Sequence, residues 1–135
     1  MQNACARQQI LLVDDEQDVL LELAELLENE GFACLTATSV QAALQQLTRH
    51  PDVALVITDV RMPGENGIGL IKRLRDHTAR SHLPVIVMSA QADLEDVSEL
   101  LHLQVLDFFR KPLYHARLLD TLENLFPVPR LKAVN

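Results

Sequence analysis

Few aromatics, few cysteines and a shortage of positive charge set the first limits on this chain. It has no tryptophan, one tyrosine and four phenylalanines, so its core must be built from leucine, valine, isoleucine and alanine. Its two cysteines, Cys5 and Cys34, make no disulfide framework, and no Cys-x-x-Cys pair or Cys/His cluster suggests zinc. Both read as reduced thiols, with Cys34 packed in the core. Twelve basic residues against nineteen acidic ones leave a net charge of −7. That balance argues against direct binding of nucleic acid or an anionic membrane, because phosphate backbones repel it. No apolar run approaches the ~20 residues of a membrane span. The stretch Met1–Gln9 is polar and lacks the apolar core of a secretory signal, so cytoplasmic residence is expected. Internal repeats and low-complexity stretches are missing as well.

What the chain does have is apolar residues in quantity, 48% of 135, enough for the core of one domain. They form short runs that alternate with amphipathic segments. Ile10–Val13 is a continuous apolar run ending in two aspartates. Val19, Leu20, Leu23, Leu26 and Leu27 then recur at helical spacing. Gly31 is placed to end that helix, because glycine tolerates the left-handed cap conformation. Phe32–Ala37 reads as a second strand. Ser39 is the N-cap of a helix with Val40, Ala43, Leu44 and Leu47 inward, closed by His50 and Pro51. Val53–Thr58 is a third strand, followed by a loop with Pro63, Gly64 and Gly67 and a helix marked by Ile68, Ile71 and Leu74. Pro84 opens a fourth strand, Val85–Met88; Leu94, Val97, Leu100 and Leu101 give the next helix; Val105–Phe109 is the fifth strand. A last helix carries Leu118, Leu122 and Leu125, and Pro127 and Pro129 stop it. Five strands alternating with five helices, the central strands apolar on both faces, predict an α/β fold with a doubly wound parallel sheet.

In such sheets ligands sit at the carboxyl ends of the strands, where the strand order reverses. Asp14 and Asp15 follow the first strand, Asp59 the third, Ser89 the fourth and Lys111 the fifth. A lone aspartate after a strand is usually a turn residue or a helix cap. Here four strand ends carry compatible groups. If the first strand is central and flanked by the third, three carboxylates converge, and they need a cation. Oxygen-only ligands suit a hard ion, with Mg2+ the usual partner of phosphate chemistry. Lys111 supplies a positive charge and Ser89 a hydroxyl, together suited to the oxygens of a transferred phosphoryl group.

The motifs ILLVDDE, ITDVRMPGENG, VIVMSA and DFFRKP occur in this order, and through them the chain resembles the response-regulator receiver family of two-component signalling, over about residues 8 to 126. The resemblance implies a flavodoxin-like five-stranded parallel sheet in the order 2-1-3-4-5 with five helices. Residues 1–7 are then a flexible tail, 8–126 the receiver domain and 127–135 a tail or the start of a linker. Asp59 matches the phosphoacceptor. Asp15 matches the direct side-chain ligand of Mg2+, with Asp14 its acidic neighbour; Asp59 itself and the backbone carbonyl of Arg61 complete the implied metal ligands. Ser89 matches the hydroxyl residue that turns toward the phosphoryl group, Lys111 the lysine that pairs with it, and Phe108 the aromatic switch position. An aromatic in an apolar strand is also an ordinary core residue. Phe109 points to the opposite face, and alternation does not say which ring faces the site.

A histidine kinase or histidine phosphotransfer protein is the implied donor. The implied chemistry is phosphoryl uptake and autodephosphorylation only. The output goes to a downstream protein or output domain through the face made by the fourth helix, fifth strand and fifth helix. Homodimerisation on phosphorylation stays open. One departure from the family pattern is Gln104-Val105 where many relatives have Gly-Ala, which removes a permissive glycine and is expected to alter the fourth helix or its loop. Arg61 and Gln91 flank the site at positions thought to shape water access in the family. His77, His82, His102 and His115 share no ligand spacing and read as surface residues.

Other readings are weaker. A Mg2+-dependent phosphohydrolase with an aspartyl-phosphate intermediate typically carries its nucleophile in an Asp-x-Asp pattern after the first catalytic strand, where this chain has adjacent Asp14 and Asp15. A nucleotide or flavin module needs a glycine-spaced loop that is missing. A pseudo-receiver would not need an intact Asp59, Ser89 and Lys111. A longer protein with a DNA-binding or enzymatic output domain remains compatible with the receiver.

Overall fold

The apolar runs form a central sheet in a computed structural model that describes residues 7–90 and 94–127. Its strands are β1 (Gln9–Val13), β2 (Ala33–Ala37), β3 (Val53–Asp59), β4 (Val85–Ser89) and β5 (Asp107–Arg110). Between and after them run α1 (Gln17–Asn29), α2 (Val40–Arg49), α3 (Gly67–Asp76), α4 (Leu94–His102) and α5 (His115–Leu125), with a 3-10 turn at Thr78–Arg80. The sheet order is β2-β1-β3-β4-β5, and every pairing is parallel. The fold is therefore the expected flavodoxin-like one. The expectations placed on Cys5, Gln91, the Leu94 side chain and Pro129 lie outside the described residues.

Strand alternation sorts the side chains between two layers. Leu11, Val13, Val56, Val85 and Val87 pack against Val40, Ala43 and Leu47 of α2, Ile71 and Leu74 of α3 and Leu100 of α4. Ile10, Leu12, Leu55, Ile57, Ile86, Met88 and Phe109 face Leu20, Leu23 and Leu27 of α1 and Leu118 and Leu122 of α5. Each of these large side chains contributes about 1.5–3 kcal/mol by leaving water. The two covered faces explain why the central strands are apolar throughout.

Helix ends follow from local chemistry. Ser39 caps α2, its Oγ accepting from Ala42 N at 3.0 Å. Gly31, at φ +98°, ends α1: its N–H donates to Glu28 O and that of Phe32 to Leu27 O, both at 3.0 Å. This is a Schellman motif, and buried Phe32 joins Leu27 in the same core layer.

Two expectations need correction. The fifth strand begins at Asp107, not Val105. Gln104 takes φ +60° and closes α4 as Gly31 closes α1: its N–H donates to Leu101 O at 3.1 Å, and Val105 N donates to Leu100 O at 3.4 Å. Val105 thus belongs to the helix end. The helix expected from Leu94, Val97, Leu100 and Leu101 is α4, on which Leu101 is 69% and Val97 36% exposed, whereas Leu100 is buried. Cys34 packs against the α1 and α5 layer but is only half-buried, because β2 is an edge strand. Burial and the nearby Glu28 charge still push its thiol up to about 12.

Candidate functional site

The chain leaves β1 toward β2 on one side, while β3 pairs on the other. That reversal puts the carboxyl ends of β1 and β3 together, with β4 and β5 alongside. Asp14 follows β1, Asp59 ends β3, Ser89 ends β4 and Lys111 follows β5. Carboxylate oxygens of Asp14, Asp15 and Asp59 all lie within 4.8 Å of one another. Asp14 and Asp59 are buried and Asp15 is exposed.

Lys111 Nζ donates to Asp14 Oδ2 at 2.7 Å and to Asp59 Oδ2 at 3.0 Å. It also lies 3.7 Å from Glu16 Oε1. Its own backbone N–H donates to Ser89 O at 3.0 Å, which seats it beside the end of β4. The second oxygen of Asp14 accepts from Glu16 N at 2.9 Å, at the start of α1. Unpaired N–H groups at a helix start favour negative charge there. Asp59 Oδ1 receives a long contact, 3.4 Å, from Arg61 N.

One ammonium facing three carboxylates leaves the site short of positive charge. Burial raises the pKa of Asp59 above its ordinary value, and the charge of Asp14 adds to this; the hydrogen bond and charge of Lys111 oppose it without prevailing. For Lys111 burial works downward, but its hydrogen bonds to Asp14 and Asp59 and their charges outweigh it, and the pKa is raised. Lys111 is thus held cationic beside a carboxylate that burial would rather protonate. Asp14, Asp15 and Asp59 form an all-oxygen donor set with excess negative charge, which fits a hard divalent cation such as Mg2+.

A cleft of about 300 Å³ opens over these groups, lined by Asp15, Glu16, Asp59, Arg61, Ala90 and Lys111. The fold therefore brings together Asp14, Asp15, Asp59, Arg61 and Lys111. Ser89 is buried, and its neighbour Ala90 lines the cleft instead. Phe108 is half-buried in the layer of α2, α3 and α4, while Phe109 is buried in the opposite layer. His77, His82, His102 and His115 are exposed.

Two features escaped the motif reading. Gly67 opens α3 directly behind Asp59, its N–H donating to Val60 O at 2.9 Å. A Cβ at Gly67 would sit 2.1 Å from Asp59 O and 3.2 Å from Thr58 Oγ1. Glycine is needed there for close approach rather than for a turn. The signal was Asn66, whose Oδ1 accepts from Gly69 N at 3.0 Å and caps the helix: it moves Gly67 from the loop to the first helical position. The second is the Arg61 side chain, which crosses to Asp96 on α4. Neither residue's position after a strand reveals that pairing.

A family model described as response regulator receiver domain matches residues 10–123. The two-component response regulator PprB of Pseudomonas aeruginosa is 33% identical over 86% of this chain, which spans 42% of that relative's length. Sporulation initiation phosphotransferase F of Bacillus subtilis is 30% identical over 90% of this chain and 95% of its own length. The crystal structure of a response regulator receiver protein from Pseudomonas putida superposes with a TM-score of 0.85 at 33% identity, covering 88% of this chain and 98% of that one.

Proposed function

Because the chain belongs to the response-regulator receiver family, the phosphoacceptor modules of two-component signalling, we infer that Asp59 is the residue that accepts the phosphoryl group. The carrying observation is the position of Asp59: it ends the central strand β3, is buried, shares Lys111 with Asp14, and lines the cleft. In the reading that follows, residues 8–126 are the receiver unit and 1–7 and 127–135 its flanks.

A carboxylate oxygen of Asp59 attacks phosphorus of a phosphohistidine on a histidine kinase or phosphotransfer protein. The P–O bond forms as the P–N bond breaks, and the imidazole leaves with the electron pair. Lys111 orients the Asp59 carboxylate beforehand and offsets charge on the transferring group. Asp14 holds Lys111 in place from the buried side. Mg2+, held by Asp14, Asp15, Asp59 and the Arg61 carbonyl, would supply further charge neutralisation when bound. Hydrolysis of the acyl phosphate by water returns the carboxylate.

The Ser89 hydroxyl is the donor that turns toward the phosphoryl oxygens. Its movement inward leaves room for the half-buried Phe108 ring to follow, which shifts the α4–β5–α5 face between two states. Exposed Leu101, Leu106 and Tyr114 on that face suit a downstream protein or output domain, or a second copy of the chain. Among the described residues no helix is long and apolar enough to cross a membrane.

Incubation with Mg2+ and acetyl phosphate, followed by intact mass, tests the acceptor. We expect one base-labile phosphoryl adduct in the wild type and none in Asp59→Ala. An adduct of equal yield in the variant refutes the assignment. For Phe108, fluorine-labelled phenylalanine is expected to report a changed environment on addition of beryllofluoride; an unmoved ring removes it from the switch.

A further inference from the structure

Asp96 sits in the first turns of α4, and its Oδ2 accepts from Arg61 Nη2 in a 2.5 Å ion pair. Arg61 belongs to the site: its N–H approaches Asp59 Oδ1 at 3.4 Å, and it lines the cleft with Asp59 and Lys111. Arg61 brings a second cation among the residues that line a cleft short of positive charge, yet its guanidinium is committed to a carboxylate on a neighbouring helix. The Arg61 side chain is 51% exposed and that of Asp96 14%. A pair with one partner so open to water is weak, and a stronger anion within reach takes the guanidinium from it. A phosphoryl group is such an anion. It carries nearly two negative charges and three acceptor oxygens, which the planar guanidinium fork matches better than a single contact to a carboxylate.

The other end of α4 is held differently. Arg75 of α3 donates through Nε to Leu103 O at 2.8 Å and through Nη2 to Gln104 O at 3.3 Å, just past the helix end. Its Nη1 reaches Leu83 O at 2.7 Å. The Lys72–Glu99 pair ties the middle of α4 to α3. None of these contacts uses a group of the cleft, so a charge arriving at Asp59 leaves them in place. The Arg61–Asp96 pair, by contrast, links α4 to a residue of the cleft.

We propose that Asp96 is a positioning residue that competes with the phosphoryl group on Asp59 for the Arg61 guanidinium, so that the two pairings exclude one another. This rests on Asp59 being the acceptor. Asp96 thereby withholds affinity from the acceptor site in the resting protein, and the withheld part is released when Arg61 changes partner.

The test is a double-mutant cycle on beryllofluoride affinity in the presence of Mg2+, read by fluorine NMR for wild type, Arg61→Gln, Asp96→Asn and the double variant. Asp96→Asn is expected to bind beryllofluoride about two- to fivefold more tightly, the range that a half-exposed ion pair withholds. Arg61→Gln binds more weakly, and adding Asp96→Asn to it changes nothing further. Asp96→Ser, which removes the carboxylate by a different route, behaves like Asp96→Asn. An equal gain from Asp96→Asn with or without Arg61 shows simple repulsion and overturns the competition, as does no gain at all. If wild type takes up neither beryllofluoride nor a phosphoryl group from acetyl phosphate, the Asp59 assignment fails and this one falls with it. Normal wild-type uptake without an Arg61-dependent effect of Asp96 overturns the competition alone.

Discussion

Lys111 Nζ and Asp59 Oδ2 meet at 3.0 Å at the end of the sheet, and the same ammonium holds Asp14 at 2.7 Å. Removing it leaves two buried carboxylates facing each other without a counter-charge. Lys111→Met is expected to lower the stability of the metal-free protein by about 1–3 kcal/mol, at the modest end because the lysine side chain keeps 16% of its exposure. Urea unfolding measures this, and added Mg2+ should restore part of the loss by replacing the missing cation.

The raised pKa of Asp59 has a definite sign in stability. Folded protein binds that proton more tightly than the unfolded chain does. Ionised Asp59 therefore costs stability at neutral pH, and the cost is relieved as pH falls through the raised folded value. Asp59→Asn should melt higher than wild type at pH 7.5 without Mg2+, and the gap should narrow as the solution is acidified. Mg2+ should raise the melting temperature of wild type more than that of the variant. Thermal melts across pH and Mg2+ concentration check both; a variant that melts lower at neutral pH contradicts the dominance of burial.

Gly67→Ala tests the packing behind the acceptor. The added methyl would fall 2.1 Å from the Asp59 carbonyl, a backbone atom with nowhere to go. A loss of about 1–3 kcal/mol is expected from the forced shift. Because the shift moves Asp59 itself, phosphoryl uptake from acetyl phosphate should slow even under conditions where the variant is fully folded. Gly64→Ala serves as the control: its position has φ +80° but no neighbour within 4 Å, so it should weaken the fold without slowing uptake of the folded fraction.

Gln104→Gly should stabilise the protein. A non-glycine residue at φ +60° bears the steric penalty of the left-handed region, and glycine relieves it by about 1 kcal/mol. The α4 end hydrogen bonds are already in place, so no other gain is expected. Denaturant midpoints of the two proteins, compared at equal slope, give the number.

The strand-end residues were legible because a parallel sheet collects one end of every strand on one edge. Asp14, Asp59 and Lys111 needed only the order of the elements to be placed near one another. The start of β5 was not legible: Val105 and Leu106 are apolar and read as strand, while the left-handed turn at Gln104 spends Val105 on closing α4. Periodicity placed α4 but not its buried side, since Leu101 has helical spacing and is exposed. Gly67 looked like loop punctuation because its reason is an atom in another element, the Asp59 carbonyl. The Arg61–Asp96 pair has the same character. Contacts of that kind depend on how two elements are set against each other, and no local pattern encodes them.

The two bonds of Lys111 span 52 and 97 residues of chain. Closing such separations costs loop entropy before the contact compensates for it. A chain still emerging from the ribosome already has Asp14 and Asp59 but no lysine between them until β5 and the segment after it have been made and docked. Copies in which β5 is not yet docked therefore lack the Lys111 bridge between Asp14 and Asp59. The bridge is thus a mark of completion: it exists only once the last strand of the sheet has taken its place.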